Sequence, residues 1–131
     1  MHKTIFIFLF STLLILAACT KQAGFGGNAS IKGNVHAQHF NSTFTALLSE
    51  YNAADYNVFI IPDGYVSPEK KIATNYEGDF EFRYLYPGKY TIYAYSKDSV
   101  ILGGQPVAVK TEVEITKNDQ IMTVDTLVIF E

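Results

Sequence analysis

Few side chains in this 131-residue sequence can do chemistry, and they fall into three groups. Cys19 is the single cysteine, so its thiol is open to alkylation but has no partner for a disulfide within the chain. His36 and His39 are the only histidines beyond it, and two imidazoles are the beginning of a metal site. Tyr84, Tyr86, Tyr93 and Tyr95 crowd one stretch, where phenol rings could stack on a sugar or receive a protein partner. The histidines lie three residues apart, which on a strand puts them on opposite faces. No Asp or Glu falls within three residues of either, so neither a metal nor any other cofactor is expected. No serine sits in a G-x-S-x-G elbow, which leaves a hydrolase with an unrecognised site as the weakest alternative. Gly24-Phe25-Gly26-Gly27 follows no strand and lacks the Gly-Lys-Ser/Thr ending of a phosphate loop.

The surroundings of Cys19 define its chemistry. His2 and Lys3 precede an apolar run from Ile5 to Leu16, broken only by Ser11 and Thr12, and Ala17-Ala18 stand just before the cysteine. A basic start, a short apolar core and a small-residue cleavage site make a secretory signal peptide. The run is shorter than the roughly 20 residues that cross a bilayer, and Lys21 and Gln22 follow at once. Leu16-Ala17-Ala18-Cys19 resembles the bacterial lipoprotein lipobox. That resemblance implies a thiol carrying diacylglycerol, cleavage before Cys19 and acylation of the freed amine. Each buried CH₂ contributes ~0.8 kcal/mol, and two or three chains together hold a protein on a membrane where one chain alone binds marginally. Thr20 and Lys21 follow the cysteine where an inner-membrane retention signal would place an acidic residue. The resemblance therefore points to the cell envelope and to the outer membrane, on its periplasmic or its external side.

Without residues 1–18 the chain loses Lys3, leaving nine Lys+Arg against 13 Asp+Glu, a net charge of −4. A mildly acidic chain has no electrostatic claim on nucleic acid. What remains is one domain, rich in Tyr, Phe and β-branched residues and without tryptophan, a composition that favours sheet.

Residues 20–28 are small, polar and glycine-rich, and they predict a flexible tether after the lipidated Cys19, with the folded domain over 29–131. Alternation of Ile31, Gly33, Val35 and Ala37 with polar residues predicts a first strand near 30–38. Phe40, Phe44, Leu47, Leu48 and Tyr51 recur at helical spacing, with Asn41, Ser42 or Thr43 available as a cap. A short helix or an ordered loop is expected over 41–51, with a strand as the alternative. Val58–Ile61 is an apolar run ended by Pro62-Asp63-Gly64, a turn sequence, and a strand follows near 70–76. Gly78 turns the chain into Phe80, Phe82 and Tyr84, which alternate with Glu81 and Arg83. Pro87-Gly88 makes a corner before Tyr90, Ile92 and Ala94. Val107–Ile115 alternates cleanly, and a last strand is expected over 121–130. About seven strands with turns between them predict an all-β, antiparallel Greek-key sandwich.

Thr74-Asn75-Tyr76-Glu77-Gly78-Asp79-Phe80-Glu81-Phe82 and Leu85-Tyr86-Pro87-Gly88-Lys89-Tyr90-Thr91-Ile92-Tyr93-Ala94 resemble the carboxypeptidase regulatory-like domain, a member of the transthyretin-like (prealbumin-like) and Cna-B-type sandwiches. Ile31-Lys32-Gly33-Asn34-Val35 is similar to that family's opening strand. The match spans about half of the mature chain. It implies a folding signature: Gly78 for the turn, Pro87-Gly88 for the corner, and Tyr90 with its ring inside and its hydroxyl on backbone. Two family activities do not carry over. The transthyretin-like hydrolases use a C-terminal Tyr-Arg-Gly-Ser, whereas this chain ends Leu127-Val128-Ile129-Phe130-Glu131. The Lys–Asn isopeptide of Cna-B adhesins has no counterpart, because Lys32 points from the core and the last strand offers only Asp125.

The sequence therefore predicts a lipid-anchored envelope sandwich acting as a non-catalytic binding or assembly module. The alternative is a surface adhesin or an accessory lipoprotein of carbohydrate utilisation. Its partners are the membrane at Cys19 and a protein or glycan met through the tyrosine surface of Tyr84, Tyr86, Tyr93 and Tyr95. Sheet-forming surface tyrosines, or cover by the 40–55 segment, would explain the same residues without a ligand.

Overall fold

The structure, a computed structural model, describes residues 22–98 and 105–131. The signal peptide, Cys19 and the first residues of the expected tether lie outside the described residues. Nine strands and no helix occur among those described: β1 (Phe25–Phe40), β2 (Leu47–Asn52), β3 (Asn57–Pro62), β4 (Lys70–Ala73), β5 (Asp79–Leu85), β6 (Gly88–Ser96), β7 (Val107–Ile115), β8 (Ile121–Thr123) and β9 (Leu127–Phe130). They form two packed sheets, the all-β sandwich expected from the alternation. One sheet is built on β1, and the other runs β4-β3-β6-β7.

β1 has partners on both sides along its length. Ile31, Lys32, Gly33 and Asn34 face Phe82, Glu81, Phe80 and Asp79 of β5, and then His36 to Phe40 face β2. Where β1 leaves one partner for the next, Val35 donates its N–H to the Gly78 carbonyl at 2.8 Å and accepts from Ala53 N–H at 2.9 Å. Gly78 is in the left-handed region (φ 80°), and a Cβ there would lie 2.6 Å from the Val35 carbonyl. Only glycine suits both demands.

The last strands refine the antiparallel expectation, because both pair with β1 in parallel: Ser30–Lys32 with Ile121–Thr123, and Val35–Gln38 with Leu127–Phe130. Between these ladders Gly33-Asn34 on β1 stand against Val124-Asp125-Thr126, one residue more. That extra residue acts as a bulge does and moves the inward parity from Met122 and Val124 to Leu127 and Ile129. Tyr84 does the same in β5. Its φ of 62° lets Phe80 and Phe82 face inward and then Leu85, three residues on.

The core lies between the sheets. Ile31, Val35, Phe80, Phe82, Leu85, Leu127 and Ile129 come from one side, and Val58, Ile60, Tyr90, Ile92, Val113 and Ile115 from the other. Each large apolar side chain so buried contributes about 1.5–3 kcal/mol, and these must outweigh the ordering of the chain without a disulfide.

Two expectations are corrected, and the choice left open over 41–51 is decided. Residues 22–28 are part of the domain: β1 starts at Phe25, Ala23 is buried, and Tyr90 bonds to Gly24 through its hydroxyl. Glycines here serve close packing, since a Cβ on Gly27 would lie 2.1 Å from the Leu85 carbonyl. The 41–51 segment is a loop and the strand β2, with every β2 side chain exposed. Asn41 caps no helix. Its Oδ1 accepts from the N–H groups of Thr45 (2.8 Å) and Ala46 (3.2 Å), and Phe44 takes a φ of 53° that ends any helical run. Tyr93, expected on a wet face, is only 7% exposed. The 40–55 segment does not cover it; its neighbours Phe59 and Tyr95 do.

Candidate functional site

At the end of the sandwich where β1 finishes, the two sheets are stitched together through side chain and backbone. Phe130 N–H donates to Ser96 Oγ at 2.8 Å, and Lys97 N–H donates to the Phe130 carbonyl at 3.0 Å. Glu131 N–H donates to the Gln38 carbonyl at 3.0 Å and Phe40 N–H to the Glu131 carbonyl at 3.1 Å, so the C-terminal residues complete the edge of β1. Phe40, Phe44 and Phe130 pack their rings beside this stitch, with centroids 5.5–6.4 Å apart.

A cleft of about 460 Å³ opens here, lined by His39, Tyr51, Tyr56, Tyr95, Ser96, Lys97, Pro106, Phe130 and Glu131. Each tyrosine is placed by a local device. Tyr51 rides on β2, opposite Ala37, and its hydroxyl donates to Glu131 Oε2. Tyr56 follows a turn in which Asp55 adopts a φ of 54°. Buried Thr74 clamps that turn, exchanging backbone bonds of 2.9–3.0 Å with Asp55 and Tyr56 and giving its hydroxyl to the Ala53 carbonyl. Tyr56 N–H in turn donates to Thr74 Oγ1 at 2.9 Å. The Tyr56 hydroxyl reaches across to the Tyr95 carbonyl. Glu131 holds the Tyr51 phenol above its ordinary pKa, and burial does the same for Tyr56. Both hydroxyls therefore stay protonated well past neutral pH, as hydrogen-bonding groups rather than nucleophiles.

Tyr95 links the cleft to the outer face of the second sheet. Its ring meets Phe59 and Tyr93 edge-on, at 5.6 and 5.5 Å, while Phe59 and Tyr93 stack at 4.9 Å and 11°. Tyr93 thus spends one ring face on Phe59, and burial raises its phenol pKa. Tyr95 remains 44% exposed.

The four tyrosines singled out by sequence do not form one surface. Tyr84 and Tyr86 belong to the β5–β6 corner, and the five residue steps from Tyr90 to Tyr95 alone separate that end from the cleft by about 17 Å. Tyr84 projects into solvent, 65% exposed. Tyr86 holds the amino-terminal segment instead, its N–H donating to the Gly24 carbonyl at 2.9 Å. The histidines part company as well. His36 Nδ1 lies 3.3 Å from Asn52 Oδ1 and Nε2 3.4 Å from Glu50 Oε2, whereas His39 borders the cleft. Tyr51, Tyr56, Phe59, Phe130 and Glu131 were not foreseen as site residues. Phe59 alone carried a signal, as the outward member between Val58 and Ile60.

No family model and no curated protein matches the chain. Among solved structures, the chain is similar in fold to a protein of Pseudomonas aeruginosa that is proposed to bind carbohydrate. The two share 16% identity at a TM-score of 0.52, over 86% of this chain and 93% of that one.

Proposed function

We propose that the protein is a lipid-anchored, non-catalytic module of the bacterial cell envelope that binds carbohydrate in the cleft between Tyr51, Tyr56 and Tyr95. The observation that carries this reading is an open cleft about the size that takes a small ligand, walled by Tyr51, Tyr56, Tyr95 and Glu131, with the Tyr51 hydroxyl donating to the Glu131 carboxylate. Tyrosine suits sugars because its ring covers C–H faces while its hydroxyl meets ring hydroxyls. Glu131 accepts hydrogen bonds, and Lys97 and His39 add donors at the rim. The fold likeness to a protein proposed to bind carbohydrate supports the class of ligand. The Leu16-Ala17-Ala18-Cys19 sequence supports the anchor and the outer membrane as its place, and the corner at Pro87-Gly88 supports transthyretin-like kinship.

Titration calorimetry of residues 22–131 against a panel of oligosaccharides tests the reading. At least one sugar should bind with a micromolar to millimolar Kd, and Tyr51→Ala should weaken it about tenfold, as for loss of one aromatic anchor. A panel without binders, or a binder indifferent to Tyr51→Ala and Tyr95→Ala, would sink it.

A further inference from the structure

The register of the second sheet builds an ordered row beside the cleft. Lys71 of β4 stands opposite Phe59 of β3, Phe59 opposite Tyr93 of β6, and Tyr93 opposite Lys110 of β7. All four lie on the outer face, because their neighbours Val58, Ile60, Ile92 and Ala94 point into the core. With strands about 4.8 Å apart, the two lysines bracket the aromatic pair at a Cα span of about 14 Å. Both lysines are exposed, and among the described residues neither has an ion-pair partner. The acidic groups of this face begin in the next row, where Glu69 lies two residues before Lys71 and Glu112 two residues after Lys110. Glu112 and Glu114 stand opposite Thr91 and Lys89, farther along β6, and Asp63 lies beside Lys89. The aromatic row itself carries positive charge alone, although the chain as a whole is acidic and the next row bears Glu69 and Glu112.

Tyr95 belongs to both surfaces, lining the cleft and touching Phe59 and Tyr93. We propose that a bound saccharide chain continues from the cleft over Tyr95 onto the Lys71–Phe59–Tyr93–Lys110 row, and that this chain is an acidic polysaccharide whose sugars carry carboxylate or sulfate groups. Phe59 and Tyr95 supply the apolar contact, buried Tyr93 packs against both and holds them in place, and the lysines meet the anionic substituents on either side. The neighbouring carboxylates repel the same ligand from the other half of the face and so fix its direction. This inference rests on the carbohydrate-binding reading and adds the ligand's charge and length.

The test compares three probes on residues 22–131: oligogalacturonate, its methyl ester as the uncharged control, and a sulfated carrageenan oligomer. Oligogalacturonate or the sulfated oligomer should bind more tightly than the ester, and the stronger of the two identifies the anion. Raising salt should weaken that binding, and Lys71→Gln with Lys110→Gln should lower it about three- to tenfold while leaving the ester unaffected. Equal binding of the ester and the acid, or indifference to the lysine pair, overturns this inference and leaves the cleft reading intact. Failure of every saccharide, charged or neutral, overturns both. Both lysines are exposed, so an unchanged thermal melt of the double variant confirms that the comparison reads binding rather than folding.

Discussion

The hydroxyl of Tyr90 joins the first described residues to the core: it accepts the N–H of Gly24 at 2.9 Å and donates to the Tyr86 carbonyl at 2.6 Å. Sixty-six positions separate Tyr90 from Gly24, and the ring between them is 2% exposed. A chain beginning at Ala29 should therefore melt on the order of 10 °C below one beginning at Gln22, since it loses Ala23, Phe25 and the partner of a buried hydroxyl. Tyr90→Phe in the longer chain should cost about 1–2 kcal/mol by urea unfolding. Equal melting of the two lengths would show that residues 22–28 add nothing to the domain.

Outer-face and inner-face aromatics should separate into three levels under urea denaturation. Phe82→Ala should cost ~3–5 kcal/mol through lost burial and the cavity left behind. Tyr93→Ala should cost about 2 kcal/mol, because it forfeits the stack on Phe59 and the edge contact with Tyr95. Tyr95→Ala should stay within ~1 kcal/mol. A Tyr93 loss as small as that of Tyr95 would contradict the cover found over its ring.

Acid stability should report Glu81. Its carboxyl is held below the usual 4.5, first by hydrogen bonding to Arg83, whose Nη2 lies 2.7 Å away, and further by the charges of Arg83 and Lys32. A depressed folded-state pKa stabilises above the unfolded value, and that contribution is lost as pH falls through the folded one. Arg83→Gln should therefore leave stability nearly unchanged in acid strong enough to protonate Glu81 in the folded state and lower it slightly at neutral pH, a small effect because the pair is solvent-exposed. A larger loss in acid than at neutrality would reverse the assignment.

Cys19→Ser should leave the precursor uncleaved by the lipoprotein peptidase and without acyl mass. Mass spectrometry of the native protein should find a start at Cys19 carrying lipid; an unmodified thiol, or a start elsewhere, refutes the anchor.

Where alternation governed, the sequence was transparent. Phe80, Phe82, Tyr90 and Ile92 face the core as period two requires, and the Tyr90 hydroxyl sits on backbone. It was opaque where parity resets. The surplus residue at Val124–Thr126 split the last strand in two, and parallel pairing to β1 leaves no local mark in sequence. Helical spacing from Phe40 to Tyr51 had another origin. Phe40 and Phe44 meet across a loop, while Leu47, Leu48 and Tyr51 belong to a strand that buries nothing. The cleft was hidden for a related reason. Tyr51 with Tyr56, Tyr95 and Glu131 come from three distant stretches, and the stitch from Ser96 to Phe130 helps bring them together. The glycines at 24–27 looked like tether because small residues serve mobile chain and tight packing alike.

The sixteen residues of β1 also define a line of force. The strand enters at the N-terminal end of the domain and finishes beside the cleft, a contour of roughly 50 Å. Tension between a membrane holding the N terminus and a ligand gripped at the cleft would run along this strand. Its ladders to β5, β8, β9 and β2 lie across that direction, so they are loaded in shear and yield together, where a hairpin pulled from one end would unzip bond by bond. The two late, parallel strands would share that load, because β8 and β9 pair with β1 on the side that faces away from β5 and β2.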